Sequence, residues 1–124
     1  MLNDYFKIFY PDNLAYAETE FTTRLGGMAR VKGANNIFPR IECADGVSLS
    51  VQGHYGAYSS PRDDFADEYN SVEVGFIEDA EKNPMTPPES WREWSDGDFP
   101  SRVYGYVPIH VVEEFIASHG GIKK

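Results

Sequence analysis

The sequence predicts an α+β domain, in which a small antiparallel sheet of four or five strands carries three helices. Apolar and polar residues alternate in short runs at Val47–Gln52 and Ser71–Phe76, which is the period of half-buried strands. An Asp-Gly pair at Asp45 is typical of a tight turn between antiparallel strands. After Pro108, apolar residues recur at helical spacing. Strands joined by short turns favour an antiparallel sheet, with an N-terminal helix, a short PPESW helix and a C-terminal helix packed on it.

The N-terminal segment predicts a strand followed by a helix. The aromatic and β-branched run Tyr5–Tyr10 predicts a strand that ends at a proline. Asp12 is placed to cap a helix, because its carboxylate can accept from the free N–H groups of a first turn. Apolar spacing predicts that helix over Leu14–Leu25, and Gly26-Gly27 predicts its end. Residues 28–36 are weakly patterned and are interpreted as a linker.

The middle of the chain predicts strands separated by irregular segments. Ile37–Cys43 is interpreted as an edge strand, because Pro39 cannot donate a ladder hydrogen bond. Residues 53–67 are rich in Gly, Ser, Tyr and Asp and predict a long loop, which in a compact domain is either functional or disordered. Thr86 and Glu89 have the spacing of a capping box, which predicts a short helix over PPESWREW.

The C-terminal part predicts a strand and a helix. Val103–Val107 reads as a strand that ends directly before Pro108. The helix that follows has its apolar residues on one face: Ile109, Val112, Phe115 and Ile116. Gly120-Gly121 indicates its end.

Length and composition predict one domain over residues 1–124, with 1–36 as a strand–helix extension and 37–124 as the acidic α+β core. Cys43 is the only cysteine, so no intrachain disulfide can form, which favours the cytoplasm. The first residues lack a basic segment followed by a long apolar one, and no apolar run approaches the ~20 residues that cross a bilayer. Neither a secreted nor a membrane-spanning protein is expected.

The net charge of −9 is concentrated in one part of the sequence. Residues 1–36 hold four acids and four bases, whereas residues 61–98 hold twelve acids and three bases. Direct binding of nucleic acid or of an anionic membrane is disfavoured, because phosphate contacts require Lys and Arg. A basic protein partner is favoured, at least through long-range attraction. The alternative is that the acids only keep a small domain soluble.

No catalytic or metal-binding set stands out in the sequence, and neither a metal nor a cofactor is expected. Cys43 at a strand end is typical of a buried hydrophobe, although His54 could approach it across the predicted hairpin. The histidines stand far apart, and the Asp-rich turns lack the full calcium-loop pattern. We expect a protein that is not an enzyme. The alternative is a small enzyme or ligand-binding domain with a site near His54 and Arg62.

Aromatic residues in the acidic loops predict a binding surface. Tyr55 and Tyr58 lie in a loop with too few aliphatic residues to bury itself, so we expect them to be interface anchors. The predicted partner-binding surface combines them with nearby acids: Tyr55, Tyr58, Asp63, Asp64, Asp67, Glu68, Glu78, Asp79, Glu81, Asp96 and Asp98.

The part of the chain from Cys43 to Gly121 resembles a family of small uncharacterised proteins of tailed phages and prophages. The motifs that carry the resemblance are CADGVSLSVQ, SSPRDD, SVEVGF, PPESW and VYGYVPIHVVEEFIASHGG. In the family pattern a cysteine stands where this chain has Ser59. The resemblance implies a bacterial host cytoplasm and a small inhibitory or regulatory protein that acts by binding. A counter-defence, anti-CRISPR-like inhibitor is one form of such a protein.

The leading hypothesis is a non-enzymatic interaction protein whose acidic face binds a basic surface of a host protein, such as one that itself binds nucleic acid. A homodimeric phage structural or regulatory protein is a further alternative. An exposed strand at Tyr5–Tyr10 would favour such a dimer, because sheet edges pair with one another.

Overall fold

In the described part of the chain, a four-stranded antiparallel sheet and two α-helices form the fold, and the predicted α+β class is confirmed. The computed structural model describes residues 1–25 and 37–123, with side chains described outside residues 15–25. Its elements in chain order are α1 (Leu2–Leu25), β1 (Ile41–Glu42), β2 (Ser48–Gln52), β3 (Ser71–Glu78), a 3₁₀ helix (Glu89–Trp94), β4 (Val103–Pro108) and α2 (Ile109–Ser118). The strands pair in the order β1-β2-β3-β4. The predicted helix end at Gly26-Gly27 and the predicted linker over residues 28–36 lie outside the described residues.

The N-terminal segment is helical from Leu2, and the predicted strand at Tyr5–Tyr10 is wrong. Leu2 and Phe6 are fully buried while Ile8 is 68% exposed, and this spacing follows the period of a helix. Pro11 lies inside α1, where its missing N–H removes one intrahelical hydrogen bond. The aromatic face of the helix nevertheless packs closely, since the rings of Phe6 and Phe38 stack with centroids 4.3 Å apart.

Polar contacts fix α1 to the segment that precedes β3. Asn3 accepts the Tyr69 N–H at 2.7 Å and donates to the Tyr69 carbonyl at 3.2 Å, so one side chain satisfies both backbone groups. The Tyr10 hydroxyl donates to the Ala66 carbonyl at 2.7 Å. Asp12, predicted as a helix cap, lies within α1 instead.

β1 is shorter than predicted because Pro39 cannot continue the ladder, and only Ile41–Glu42 form a strand. Beyond the proline, the side-chain amide of Gln52 replaces the missing backbone partner. It accepts the Phe38 N–H at 2.9 Å and donates to the Phe38 carbonyl at 2.8 Å. The predicted tight turn before β2 is present, with Gly46 at a φ of 95°.

The PPESW segment forms a 3₁₀ helix, and the predicted capping box at Thr86 is wrong. Pro88 is the N-cap, with φ −53° and ψ 149°, and no side chain caps the helix. Two successive prolines keep the chain extended up to Glu89, which carries Thr86 away from the first turn. The Trp91 N–H donates to the Pro88 carbonyl at 2.9 Å, three residues earlier, as a 3₁₀ helix requires.

One hydrophobic core joins the sheet to all three helices. Leu2 and Phe6 belong to the same cluster as the strand residues, so the start of the chain is part of the core. The predicted stripe of α2 is confirmed for Val112, Phe115 and Ile116, which are all buried. The largest fully buried side chains include Trp91, Tyr69, Tyr104, Phe6, Leu2, Ile41 and Leu49.

The C-terminal residues fold back along the outer edge of β1. Gly120-Gly121, at φ of 90° and 82°, end α2 as predicted and turn the chain. Cys43 then forms a bridge with Ile122, and the Lys123 N–H donates to the Glu42 carbonyl at 2.8 Å. The free side of β1 is therefore covered.

The outer edge of β4 is covered in the same way. The Tyr106 N–H donates to the Tyr58 carbonyl at 2.9 Å, and Ser95 forms a bridge with Tyr104. Covered edges resist the addition of a strand from another chain. The exposed strand at Tyr5–Tyr10, which would favour a homodimer, is replaced by α1.

Candidate functional site

A bulge in β3 turns Phe76 out of the core. Val74 and Ile77 are both buried, and two residues separate them where a regular strand has one. The register with β2 shifts at this point. Phe76 has a φ of 52° and is 48% exposed. The expectation that Phe76 continues the buried face of the strand is therefore wrong, because the extra residue moves the core position to Ile77.

A second bulge in β4 does the same to Tyr106. Tyr104 and Val107 are both buried, with Gly105 and Tyr106 between them, and the register with β3 shifts alongside. Tyr106 has a φ of 55° and is 46% exposed. Two neighbouring strands therefore expose an aromatic side chain in the same way, on the face of the sheet opposite the core.

The backbone of both exposed aromatics is in a conformation that bulky residues rarely adopt. A non-glycine residue in a sparsely populated region costs about 1–3 kcal/mol, and it persists only where the surrounding structure requires it. Neither Phe76 nor Tyr106 fills a core position, so packing of the core does not explain why these positions hold aromatics. Such outliers cluster at binding sites, which makes these two residues the centre of the candidate site.

Tyr58 extends the exposed aromatic region from the loop onto β4. It packs on Gly105, where an added Cβ would lie 2.9 Å from the Tyr58 Cβ, so a side chain at that position would displace it. The rings of Tyr58 and Tyr106 have centroids 6.0 Å apart and an interplanar angle of 34°. We call Tyr58, Phe76 and Tyr106 the outer aromatic surface.

The sequence contains a signal for the two bulges. Both bulges contain a glycine followed by an aromatic residue inside a strand, in VGFI around Gly75 and in YGYV around Gly105. An isolated glycine in a strand pattern indicates a bulge or a close approach of another part of the chain. Of the three aromatics, only Tyr58 was among the predicted site residues.

The predicted partner-binding residues fall into two groups along the chain, one before β3 and one after it. One group lies in the connection from β2 to β3: Tyr55, Tyr58, Asp63, Asp64, Asp67 and Glu68. The other lies at the end of β3 and before β4: Glu78, Asp79, Glu81, Asp96 and Asp98. Most of the first group precedes β3 and most of the second follows it, but the two groups approach each other along the outer edge of β4. There the Tyr106 N–H donates to the Tyr58 carbonyl, and the Asp96 N–H donates to the Val103 carbonyl at 2.9 Å.

Some of these residues have structural partners. Tyr55 and Tyr58 are 51% and 42% exposed. The Asp64 carboxylate accepts the Tyr55 N–H at 3.0 Å, a hydrogen bond that stabilises the loop over residues 53–67. Asp79 accepts the Asn83 N–H at 2.9 Å and organises the turn after β3.

His54 is buried at the base of the loop over residues 53–67, at 8% exposure. Its Nδ1 lies 3.0 Å from the Gly56 nitrogen and accepts that N–H, so the ring is neutral with its proton on Nε2. Burial lowers the pKa of His54. The charge of Arg62 lowers it further, whereas Asp64 and Glu73 oppose the shift.

Acidification is expected to destabilise the fold through His54. The unfolded chain takes up a proton near the ordinary histidine pKa of about 6.5, whereas the folded chain does so only at lower pH. The free energy of unfolding therefore falls as the pH drops below that value, until the folded state is protonated as well. His54→Asn should flatten this dependence, because its side-chain oxygen can accept the Gly56 N–H without titrating. Urea denaturation of both proteins between pH 7.5 and 5 measures the difference, and parallel profiles would exclude a role for His54.

A groove of about 190 Å³ lies at the end of the sheet far from His54. It is formed by the end of β3, residues 84–86 and residues 100–102, with Phe76 and Tyr104 in its wall. The enzyme alternative placed its site between the loops over residues 53–67 and 95–102; the groove is lined by residues 100–102 of the second loop but by no residue of the first. Its volume is below the roughly 300–1,000 Å³ of pockets that hold drug-sized ligands.

Cys43 and His54 do not come together. They flank opposite ends of β2, whose five residues span about 17 Å. Cys43 is buried, and burial raises the pKa of its thiol to about 11, which suppresses the thiolate needed for nucleophilic chemistry. Within residues 1–14 and 37–123, no three side chains of His, Cys, Asp or Glu gather in a way that would hold a metal ion.

Two further findings bear on the class of protein. In the described part of the chain, no helix combines the length and the apolar content needed to span a membrane. Comparison with known proteins finds no matching family model, no matching curated protein and no matching solved structure.

Proposed function

We propose that this chain is a non-enzymatic interaction protein that binds a basic surface of another protein through the outer aromatic surface. One observation carries the proposal: the paired bulges expose Phe76 and Tyr106 at a cost in backbone strain that the core does not require. Aromatic residues are the commonest anchors of protein interfaces, because they combine large contact area with few rotatable bonds. A bacterial host protein as partner, and a counter-defence inhibitor as one form, are proposals that come from the phage resemblance.

The covered edges of the sheet support a partner that docks on its face. Within the described residues, β1 is flanked by the C-terminal strand-like segment and β4 by Tyr58 and Ser95. A partner that added a strand would have to displace these contacts. The outer face needs no such rearrangement, since the side chains of Phe76 and Tyr106 are already presented to solvent.

Charge supports a basic partner. Acid-rich segments precede and follow β3, in a region of the chain that holds twelve acids and three bases, and both border the strands that carry the outer aromatic surface. Such a field accelerates encounter with a positively charged protein and repels nucleic acid and acidic proteins. The aromatic side chains would then supply most of the affinity, because exposed charges contribute little once salt screens them.

The test is capture of a partner by the wild type, by a variant of the outer aromatic surface and by a control variant changed elsewhere. The double variant Phe76→Asn and Tyr106→Asn removes both rings, and asparagine tolerates the positive φ of both positions, so the backbone of the bulges should be kept. Ile8→Asn is the matched control, because it removes a hydrophobic side chain that is 68% exposed on α1. Each protein, tagged at its C-terminus, is used to capture proteins from a bacterial lysate at low and at moderate salt.

We expect a basic protein that wild type and Ile8→Asn capture and the double variant does not. With the purified partner, calorimetry should give an affinity at least about tenfold lower for the double variant, as for a loss of interface anchors. Absence of a specific partner at both salt concentrations, or equal capture by the double variant, would contradict the proposal.

A further inference from the structure

The guanidinium group of Arg62 lies over the ring of Tyr58 in the same chain. The Arg62 guanidinium carbon lies 5.7 Å from the Tyr58 ring centroid, within the ~6 Å range of cation–π attraction. We infer that Tyr58, Tyr106 and Glu73 form a site for an arginine side chain of the partner, and that Arg62 occupies this site until the partner displaces it. The inference rests on the proposed function and names the group that the outer aromatic surface recognises.

The site has two aromatic walls and a carboxylate. The Tyr58 and Tyr106 rings lie 6.0 Å apart at an angle of 34°, so they are inclined toward one another and do not stack. The Glu73 carboxylate accepts the Tyr58 N–H at 3.3 Å, which fixes it beside the Tyr58 backbone. Glu73 also faces the outer side of β3, since its neighbours Val72 and Val74 are in the core. Aromatic faces next to a carboxylate are the usual surroundings of a bound cation.

Arg62 is held loosely enough to be replaced. It is exposed, and among the described residues it forms no ion pair within 4.0 Å. Its contact with Tyr58 lies near the outer limit of the cation–π range, where the attraction is weak. A guanidinium from a partner could approach the ring more closely, because its position is not limited by the short chain between Tyr58 and Arg62.

The chemistry favours arginine over lysine as the occupant. A guanidinium is planar and weakly hydrated, so it stacks on an aromatic face and still donates to a carboxylate at its edge. The ammonium of lysine is strongly hydrated and loses more on leaving water. The Glu73 carboxylate, held beside the Tyr58 backbone, makes the site more favourable for either cation once Arg62 has moved away.

The experiment compares two arginine deletions with the same change in charge. Arg62→Ala empties the proposed site, and Arg102→Ala removes an exposed arginine at the far end of β4, in the wall of the groove. The probe is a fluorescein-labelled peptide of six arginines alternating with glycine, and a lysine peptide of the same design is the comparison. Fluorescence anisotropy measures both affinities at 50 mM and 150 mM salt, and thermal melts check that each variant is folded.

We expect Arg62→Ala to bind the arginine peptide about two- to fivefold more tightly than Arg102→Ala does, the effect of one exposed cation–π contact. This increase in affinity should be smaller for the lysine peptide. Adding Glu73→Gln to Arg62→Ala should remove most of the increase for the arginine peptide. Equal affinities for the two arginine deletions, or weaker binding by Arg62→Ala, would overturn the inference. Failure of this inference is distinguishable from failure of the proposed function. If the lysate capture depends on Phe76 and Tyr106, the proposed function holds even when Arg62→Ala has no effect on peptide binding.

Discussion

Replacing Trp91 by alanine is expected to lower the free energy of unfolding by about 3–5 kcal/mol, the range for a buried aromatic replaced by alanine. Trp91 is 1% exposed and joins three elements. Its ring lies 5.7 Å from that of Tyr104 in β4, 5.4 Å from that of Phe115 in α2 and 6.2 Å from that of Trp94. The 3₁₀ helix has no side-chain cap, so the burial of Trp91 is what holds it against the sheet.

Trp94 provides the control for this prediction. It lies in the same 3₁₀ helix but is only partly buried, so Trp94→Ala should cost clearly less, about 1–2 kcal/mol. Urea denaturation followed by circular dichroism measures both variants. The chain has two tryptophans, so each variant retains one fluorescent reporter of this region. Equal losses from the two substitutions would show that Trp91 does not anchor the 3₁₀ helix.

The sequence predicts best those elements whose buried side chains follow the periodicity of a single continuous segment. The alternation after Asp45 and the stripe of α2 correspond directly to β2 and α2, because the side chains that periodicity places on one face are the ones that the core buries. The Asp-Gly turn and the glycines that end α2 were also predictable, since positive φ at those positions depends on the residue itself.

The bulges could not be located by the same reasoning. A regular alternation places Phe76 on the buried face of β3, and only the register with both neighbouring strands reveals the extra residue. Register depends on turns elsewhere in the chain, which local sequence does not contain. The glycine before each exposed aromatic was a hint, but a glycine in a strand is also compatible with simple weakening of the strand.

The sequence predicts the residue types of the candidate site but not their arrangement in space. The acid-rich segments and the exposed Tyr55 and Tyr58 were recognisable from composition. Their arrangement was not, because it depends on which ends of β3 the two loops connect. Asp67 and Asp79 belong to the same acid-rich part of the sequence, yet they lie before and after β3. Phe76 and Tyr106 are thirty residues apart in sequence, yet they are exposed on neighbouring strands.

The sequence at the start of the chain predicts a strand instead of the observed helix because aromatic residues occupy several faces of that helix. In YFKIFY the pattern fits either period, and the β propensity of Tyr, Phe and Ile favours a strand. The partners that decide between them, Phe38 and Tyr69, lie more than thirty residues away. Packing of Phe6 against these distant residues therefore outweighs the local preference for a strand.

Replacing Phe6 by alanine is accordingly expected to cost about 3–5 kcal/mol of unfolding free energy, even though it improves the local helix propensity. Phe6 is fully buried. Its ring stacks on Phe38 at 4.3 Å with an interplanar angle of 7°, and it meets Tyr69 edge to face at 5.9 Å. Such aromatic pairs contribute about 0.5–1.5 kcal/mol each beyond their buried area. Loss of Phe6 should also weaken the contact of α1 with the segment before β3.

Ile8→Ala is the matched control, two residues away on the exposed side of the same helix. With 68% of Ile8 exposed, its replacement should change the unfolding free energy by no more than about 0.5 kcal/mol. Urea denaturation gives both values, and near-ultraviolet circular dichroism reports the packing of the aromatic rings. A cost for Phe6→Ala as small as that for Ile8→Ala would mean that α1 is an extension and that residues 37–123 form the core alone. A large and selective cost would mean that the chain folds as one unit from its second residue, so that partner binding must be tested on the whole chain.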